Sequence, residues 1–519
     1  MNTTNERTSL LHPVIGSNEE SSTRSAIGHD DSVDHVSQFH TFHSDTKRLL
    51  TSTHISMISI GGIIGTGLFI GVRNTLVNGP LFSMLSYLYV SLLCYIVIQT
   101  VGEMSCYLPM NGSICQFQFY LLSDSIGLAV NLIYWLSWSM TLALELSLIN
   151  SIICWWHDFD SPVTITFVFW LLFVVFNLLP VNNYGDVESA ITIVKVVFII
   201  SWIFISIGYI FSSHTGFKNW LPANSTSPSF YNIVASLISS CFTFQSIESI
   251  ALCSGEIKLP QKNIPQAIRY VMVRILVFYI TTLFLLTIMV SSKDLGFNDD
   301  DSDIFQSPFL IGLVNCGMSS SSTVLNIFNL VILISIMSAA NSNIYFGSRC
   351  LVSIAEAGHL PQTILRTRNG VPYVAILLTS VLGLLSLLLK YRSVEILFNL
   401  LIKICSTAGL LMWLCLITSY IRFRKYLQYN GIKYTSLPYQ SSRPGVILAL
   451  AYFAAINIFV IISMNGGPNL VEFLWDDLVS SYLTVVVFIF LVVGLKWHWN
   501  QPFFVPLDKI VMPVYNAGN

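Results

Sequence analysis

From residue 55 onward the chain alternates long apolar runs with short polar interruptions, and these runs set the architecture. Twelve of them are long enough to cross the ~30 Å hydrocarbon core of a bilayer as helices. They are 55–73, 79–101, 126–153, 163–181, 187–211, 230–254, 269–291, 323–348, 372–390, 394–420, 445–464 and 478–497. The third run is followed by Trp155 and Trp156, aromatics suited to a membrane–water belt. Residues 1–53 are polar, rich in Ser, Thr, Asp and His, and carry no apolar signal core, which predicts a disordered tail rather than a cleaved leader. Residues 498–519 form a second, short tail.

Two of the runs are internally flawed. The first contains Gly61, Gly62, Gly65, Gly67 and Gly71 around Thr66, and each glycine weakens a helix by roughly 1 kcal/mol relative to alanine. A seam for close helix packing is one reading of such a run. The other is a broken helix whose freed N–H and C=O groups line a cavity and hold the charged ends of a substrate. The sixth run is interrupted by polar residues from Thr243 to Ser249, and Ser246 follows Gly65 by 181 residues. Five helices fill that interval, and because five is odd the second set enters the membrane from the opposite side. The expected organisation is an inverted repeat, about 54–211 and 230–420, inside a membrane domain of residues 54–497 whose helices across 445–497 lie outside the repeat.

Composition agrees with this picture: 54% of residues are apolar, 10% charged, and the mean hydropathy is +0.68. A net charge of -2 argues against a nucleic-acid partner. The scattered cysteines show no ligand spacing, and no nucleophile, metal or cofactor motif supports an enzyme. With both termini cytoplasmic, 17 of the 25 Lys and Arg residues face the cytoplasm and five face out, which fixes that orientation. The Asn224-Ser225-Thr226 sequon then lies outside. Glu145, Lys195, Glu248 and Lys403 sit deep in apolar runs, where an unpaired charge costs at least about 2.5–3.5 kcal/mol, so they should face the bundle interior. Counted from the predicted helix starts, Lys195 and Lys403 lie at similar depths of roughly 12–14 Å. In the tail, Glu6 with Leu10 and Leu11 fits an acidic dileucine pattern for a sorting adaptor, and Lys47 is a site for a ubiquitin ligase.

Several segments together carry a resemblance. Ile58–Gly71 (ISIGGIIGTGLFIG), Gly102-Glu103-Met104, Ala143–Ser147 (ALELS), Ser338–Arg349 (SAANSNIYFGSR) and Gly370–Tyr373 (GVPY) are similar to the fungal amino acid permeases, the YAT family of the amino acid–polyamine–organocation superfamily. ALELS and SAANSN are most similar to the basic amino acid permeases. The resemblance implies an all-α membrane protein of about twelve transmembrane helices, with a LeuT-like 5+5 inverted repeat and broken helices 1 and 6. It also implies proton-coupled amino acid symport, leaning to basic amino acids, with the plasma membrane as the expected location and a vacuolar or endomembrane one suggested by the dileucine pattern. The alternative is a non-transporting amino acid sensor with a permease fold.

By the same resemblance, the N–H groups of Gly65, Thr66 and Gly67 receive the substrate carboxylate, in accord with the anion preference of a helix N-terminus. The carbonyls of Ile63, Phe242 and Gln245 receive the ammonium group. Lys195 matches a helix-five lysine that takes the place of sodium in proton-coupled relatives, which makes it the first candidate for proton coupling, with Glu145 and Glu248 next. The chain departs from the family at Phe244–Ser249: FQSIES replaces the usual FQGTEL, so Ser246 stands where a glycine leaves space beside the ligand. Ile247 adds bulk and Lys403 adds a cation, both candidates for substrate discrimination.

Overall fold

The computed structural model describes residues 50–156, 161–213, 216–220, 230–291, 294–295, 307–315, 317–318, 323–391, 394–440, 444–464 and 475–512. The sorting pattern at Glu6, Leu10 and Leu11, Lys47 and the sequon at Asn224 lie outside the described residues.

Each of the twelve apolar runs corresponds to a helix, numbered here 1 to 12 in chain order. Helix 1 is split into Ser52–Ile63 and a second half that opens as a wider π-helical turn, Gly67–Gly71, and continues as Val72–Leu76. Helix 2 is Pro80–Tyr107, helix 3 Asp124–Ile153, helix 4 Pro162–Asn177 and helix 5 Val181–Ser213. Helix 6 is split into Phe230–Phe244 and Ser249–Leu252. Helix 7 runs from Pro260–Arg274 through Ile275–Ile280 to Thr281–Met289. Helix 8 is Thr323–Glu356, helix 9 Tyr373–Gly383 with a tighter 3₁₀ end at Leu384–Tyr391, and helix 10 Val394–Tyr429. Helices 11 and 12 are Pro444–Ser463 and Trp475–Trp499. Eight described helices are long and apolar enough to cross a membrane, and three shorter apolar ones join them; the broken helix 6 completes the set. The protein is an all-α membrane protein with helices 1 and 6 interrupted at equivalent places.

Helix ends follow local chemistry. Thr51 caps helix 1 by accepting from the His54 N–H, and Ser123 caps helix 3 by accepting from Ile126 N–H. Pro80 opens helix 2 after Gly79, whose φ of 95° is a conformation that glycine enters freely. Several helices run past the apolar stretches that announced them: helix 5 starts at Val181 rather than 187, helix 7 at Pro260 rather than 269, and helix 10 ends at Tyr429 rather than 420. Hydropathy registers only the part of a helix that lipid tolerates, and these ends carry polar residues. Lys195 is fourteen residues into its helix and Lys403 nine.

Burial sorts the helices into a centre and a rim. The apolar stretch of helix 10 is 78% buried and that of helix 3 is 67%, against 11% for helix 12. The rim helices turn large apolar side chains outward, such as Phe204 and Phe211 on helix 5, Ile456 and Phe459 on helix 11 and Phe490 on helix 12. Such faces are stable in lipid because the bilayer interior is as apolar as they are. The segment after helix 12 packs on the body: Val505 N–H donates to the Leu122 carbonyl at 2.7 Å, and Arg422 donates to the carbonyls of Leu121 and Val505.

Candidate functional site

The first break, at Ile64 to Thr66, has three neighbours. Helix 5 brings Lys195, whose ammonium is fully buried and donates to the carbonyls of Gly61 at 2.8 Å and Ile64 at 3.1 Å. Those acceptors were orphaned when the helix stopped, and a cation satisfies them. Helix 8 brings Ser338, whose Oγ accepts from Lys195 Nζ at 2.8 Å and itself donates to Glu188. Glu188 Oε1 stands 3.9 Å from Lys195 Nζ, with both side chains at most 1% exposed. Helix 3 brings Glu145, 2% exposed, which accepts from the Thr66 hydroxyl. A buried cation thus sits between the break and a buried carboxylate, with a serine hydroxyl relaying between them.

The glycines explain how these elements come so close. A Cβ on Gly61 would stand 2.1 Å from Glu188 Oε1 and 2.5 Å from Thr192 Oγ1. One on Gly65 would stand 2.9 Å from the Ala339 methyl, and one on Gly67 would stand 2.7 Å from the Thr243 Cα. The helix is interrupted at 64–66, and glycines in and beside the interruption are where helices 5, 8 and 6 press against it. The amides of Gly65 and Thr66 have no backbone partner among the described residues, and Gly67 opens the next helical stretch.

The second break lies beside the first. Thr243 Oγ1 donates to the Gly67 carbonyl at 3.2 Å and accepts from the Tyr87 hydroxyl at 3.2 Å. The Phe242 carbonyl accepts from Gln245 N–H at 3.2 Å, so one of its lone pairs is occupied. Gln245 turns toward helix 10, where a Cβ on Gly409 would stand 3.5 Å from its amide. Ser246 has φ 82°, a left-handed conformation that L side chains enter at a cost. Ile247 is fully buried in the apolar core. Glu248, also fully buried, accepts from Tyr134 OH at 2.7 Å and Trp413 Nε1 at 2.9 Å, tying helix 6 to helices 3 and 10. Lys403 is half-buried on helix 10 next to Ile404, whose carbonyl accepts from Thr484 of helix 12.

The structure brings Gly65, Thr66, Gly67, Lys195 and Glu145 together at one break, and Phe242 and Gln245 to the adjoining one. Sequence reasoning missed Glu188, Ser338 and Thr243. Tyr184, Glu188, Thr192 and Lys195 recur at helical spacing, and that polar stripe on an apolar helix was the available signal for Glu188.

A further buried cluster ties the start of helix 1 to the segment after helix 6 and to helix 8. Glu256 pairs with Arg349 at 3.1 Å, both nearly fully buried, and Tyr345 donates to the same carboxylate. Leu50, just ahead of helix 1, exchanges backbone hydrogen bonds with Glu256 and Lys258, each at 3.0 Å.

Residues 54–505 match the model of a family described as amino acid permease. The lysine-specific permease of Saccharomyces cerevisiae is 34% identical over 89% of this chain and 78% of its own length. The lysine/arginine permease CAN1 of Candida albicans is 35% identical over 94% of this chain and 86% of its own. The histidine permease HisP of Lactococcus lactis is 30% identical over 90% and 98%. A solved nucleobase-cation-symport-1 family transporter in a closed conformation overlays 90% of the chain and 97% of its own at TM-score 0.47 and 11% identity, too distant to add to the fold read from the helices themselves.

Proposed function

The chain belongs to the amino acid permease family, and from that premise we propose that it is a secondary active transporter that moves a basic L-amino acid together with protons. The observation that carries the coupling part is the Lys195 ammonium bound to the Gly61 and Ile64 carbonyls. Charged, it ties helix 5 to the broken helix 1; on losing its proton it releases those carbonyls and frees the first half of helix 1 to swing. Glu188 and Ser338 hold the lysine in place and offer a route for the proton.

The substrate carboxylate is received by the N–H groups of Gly65, Thr66 and Gly67, and its ammonium by carbonyls at the two breaks, with Ile63 and Gln245 offering acceptors. Glu145, which accepts from the Thr66 hydroxyl, is an acidic side chain beside these amides and suits a cationic substrate. The names of the relatives, for lysine, arginine and histidine, support the basic class. None of the relatives named above is described as a sensor, so the non-transporting reading gains no support from them. The cation bias of the loops supports cytoplasmic termini, and we take the plasma membrane as the location.

The test is uptake of labelled lysine, arginine, histidine and a neutral amino acid into vesicles with and without a pH gradient. The wild type should concentrate a basic amino acid when the gradient is present and only then. Lys195→Ala should lose that accumulation while keeping exchange of labelled for unlabelled substrate, since exchange requires alternating access but no net proton flux. Gradient-driven accumulation by Lys195→Ala would move the coupling elsewhere, with Glu145 and then Glu248 as successors. Uptake restricted to neutral amino acids would end the basic-substrate reading.

A further inference from the structure

A second cavity, of about 360 Å³, lies far from the breaks, between the last turns of helix 10 and the first turns of helix 11. Arg424, Lys425 and Gln428 line it from helix 10, Tyr434 from the connecting segment, and Leu448 and Tyr452 from helix 11. No carboxylate lines it. Lys425 is exposed and makes no ion pair among the described residues. Arg424 is held in a fixed orientation: its guanidinium lies 4.2 Å above the Tyr434 ring, and Nη1 donates to Tyr420 OH at 2.7 Å. Behind it, buried Glu103 accepts from Tyr420 and Tyr434 at 2.7 and 2.6 Å and stands 3.6 Å from Arg424 Nη1. Glu103 therefore fixes the wall of the cavity while itself staying out of it, and the lining keeps a net positive charge.

The surroundings indicate what fits. Tyr452 is 44% exposed, and below it helix 11 turns Ile456 and Phe459, 64% and 61% exposed, toward lipid. The cavity opens where this apolar stripe begins, so its polar end meets the headgroup layer and its apolar end meets acyl chains. A basic pocket between transmembrane helices at the membrane surface attracts anionic headgroups. We propose that this cavity binds the headgroup of an anionic glycerophospholipid, with the phosphate against Lys425 and Gln428 and the acyl chains along Leu448, Tyr452 and Ile456. The volume suits a headgroup rather than a whole lipid, and the exposed stripe accommodates the chains. This inference is independent of the transported substrate.

The experiment uses the full chain, taken from vesicles of phosphatidylcholine with or without phosphatidylserine into detergent, and reads retained lipid by native mass spectrometry. Wild type should retain phosphatidylserine in preference to phosphatidylcholine. Lys425→Glu with Gln428→Glu should lower that retention by about tenfold or more, because reversing a surface cation near an anionic headgroup shifts binding by at least that factor. Lys433→Glu, an exposed cation of the same connecting segment that does not line the cavity, should retain lipid as wild type does. Should the double variant fail to fold, Lys425→Gln tests the same ordering with a smaller drop. Equal retention by wild type and the cavity variants overturns the proposal, as does equal retention of the two lipids. Displacement of the bound lipid by millimolar inorganic phosphate, with phosphate seen bound in its stead, also overturns it and makes the cavity a site for soluble anions.

Discussion

The two breaks adjoin one another, yet they are built from different chemistry. At the first, a helix stops among glycines and its carbonyls are taken by Lys195, with Glu188 and Ser338 behind the lysine. At the second, the chain turns through a left-handed serine, and the carboxylate there, Glu248, is satisfied by neutral donors from Tyr134 and Trp413. One break carries a charge pair in a buried setting and the other carries hydrogen bonds between uncharged donors and a carboxylate. Both helices are interrupted, but the side chains around each interruption are of different kinds. The second break thereby ties helices 3, 6 and 10 together.

The largest effect that sharpens this contrast concerns the carboxylates. Glu188→Ala strands the buried Lys195 charge, and breaking a buried ion pair from one side costs about 3–5 kcal/mol. Thermal unfolding of the purified protein should show that loss, and adding Lys195→Ala to Glu188→Ala should recover a good part of it. Glu248→Ala leaves two buried donors unpaired and no stranded charge, which costs about 1–3 kcal/mol per donor at most and finds no rescue in removing any cation. A Glu188 variant that no lysine substitution rescues would make the two breaks alike after all.

The next effect concerns close approach. Gly67→Ala puts a methyl 2.7 Å from the Thr243 Cα, a backbone atom that cannot move aside without shifting helix 6. Gly71→Ala meets its nearest atom, in the Phe242 ring, at an ordinary 3.6 Å. Initial uptake rates should fall about 100-fold in the first, equivalent to about 2.7 kcal/mol, and by less than about threefold in the second. Equal losses would mean that the glycines serve helix flexibility rather than the contact between the breaks.

How much of this was legible in the chain depends on the range of the interaction. The twelve helices, the two interruptions and the burial of Lys195 followed from local runs of residue type, because a bilayer punishes any departure from apolar composition over about 20 residues. Gly65, Thr66 and Gly67 were legible for the same reason. The partners of Lys195 were not: Ser338 lies on helix 8, and Glu188 fell at the edge of a hydropathy run that began at 187, where it read as a helix end. Extending helix 5 back to Val181 puts Glu188 two turns inside, on the face of Lys195. The pairing of Glu256 with Arg349 was hidden similarly, since the apolar run of helix 8 stops at 348 and the helix continues to Glu356, carrying Arg349 into a buried position.

The smallest effect is the most discriminating for the second break. The glycine usual to the family at the position of Ser246 reads from sequence as space beside a ligand, so Ser246→Gly should broaden the accepted side chains. The structure adds a backbone reason, because φ 82° is a conformation that a serine holds at a cost of roughly 1–2 kcal/mol and a glycine does not. Against that gain stands the larger entropy a glycine loses on folding, about 0.5–1 kcal/mol. The net expectation is a stabilisation of under about 1 kcal/mol, read as a rise of a few degrees or less in Tm. The serine hydroxyl makes no hydrogen bond among the described residues, so its removal strands no partner within the protein. Tm and competition by a panel of amino acids, measured on the same variant, separate the two reasons. A rise in Tm with an unchanged panel means that the position serves the turn alone and that the second break shapes the backbone without contacting the side chain of the substrate. A broadened panel with no rise in Tm means that Ser246 lines the pocket and that the chain holds it there for selectivity at the expense of the turn. A loss of affinity for every substrate would show the hydroxyl to be a ligand contact, which would bring the second break closer in kind to the first.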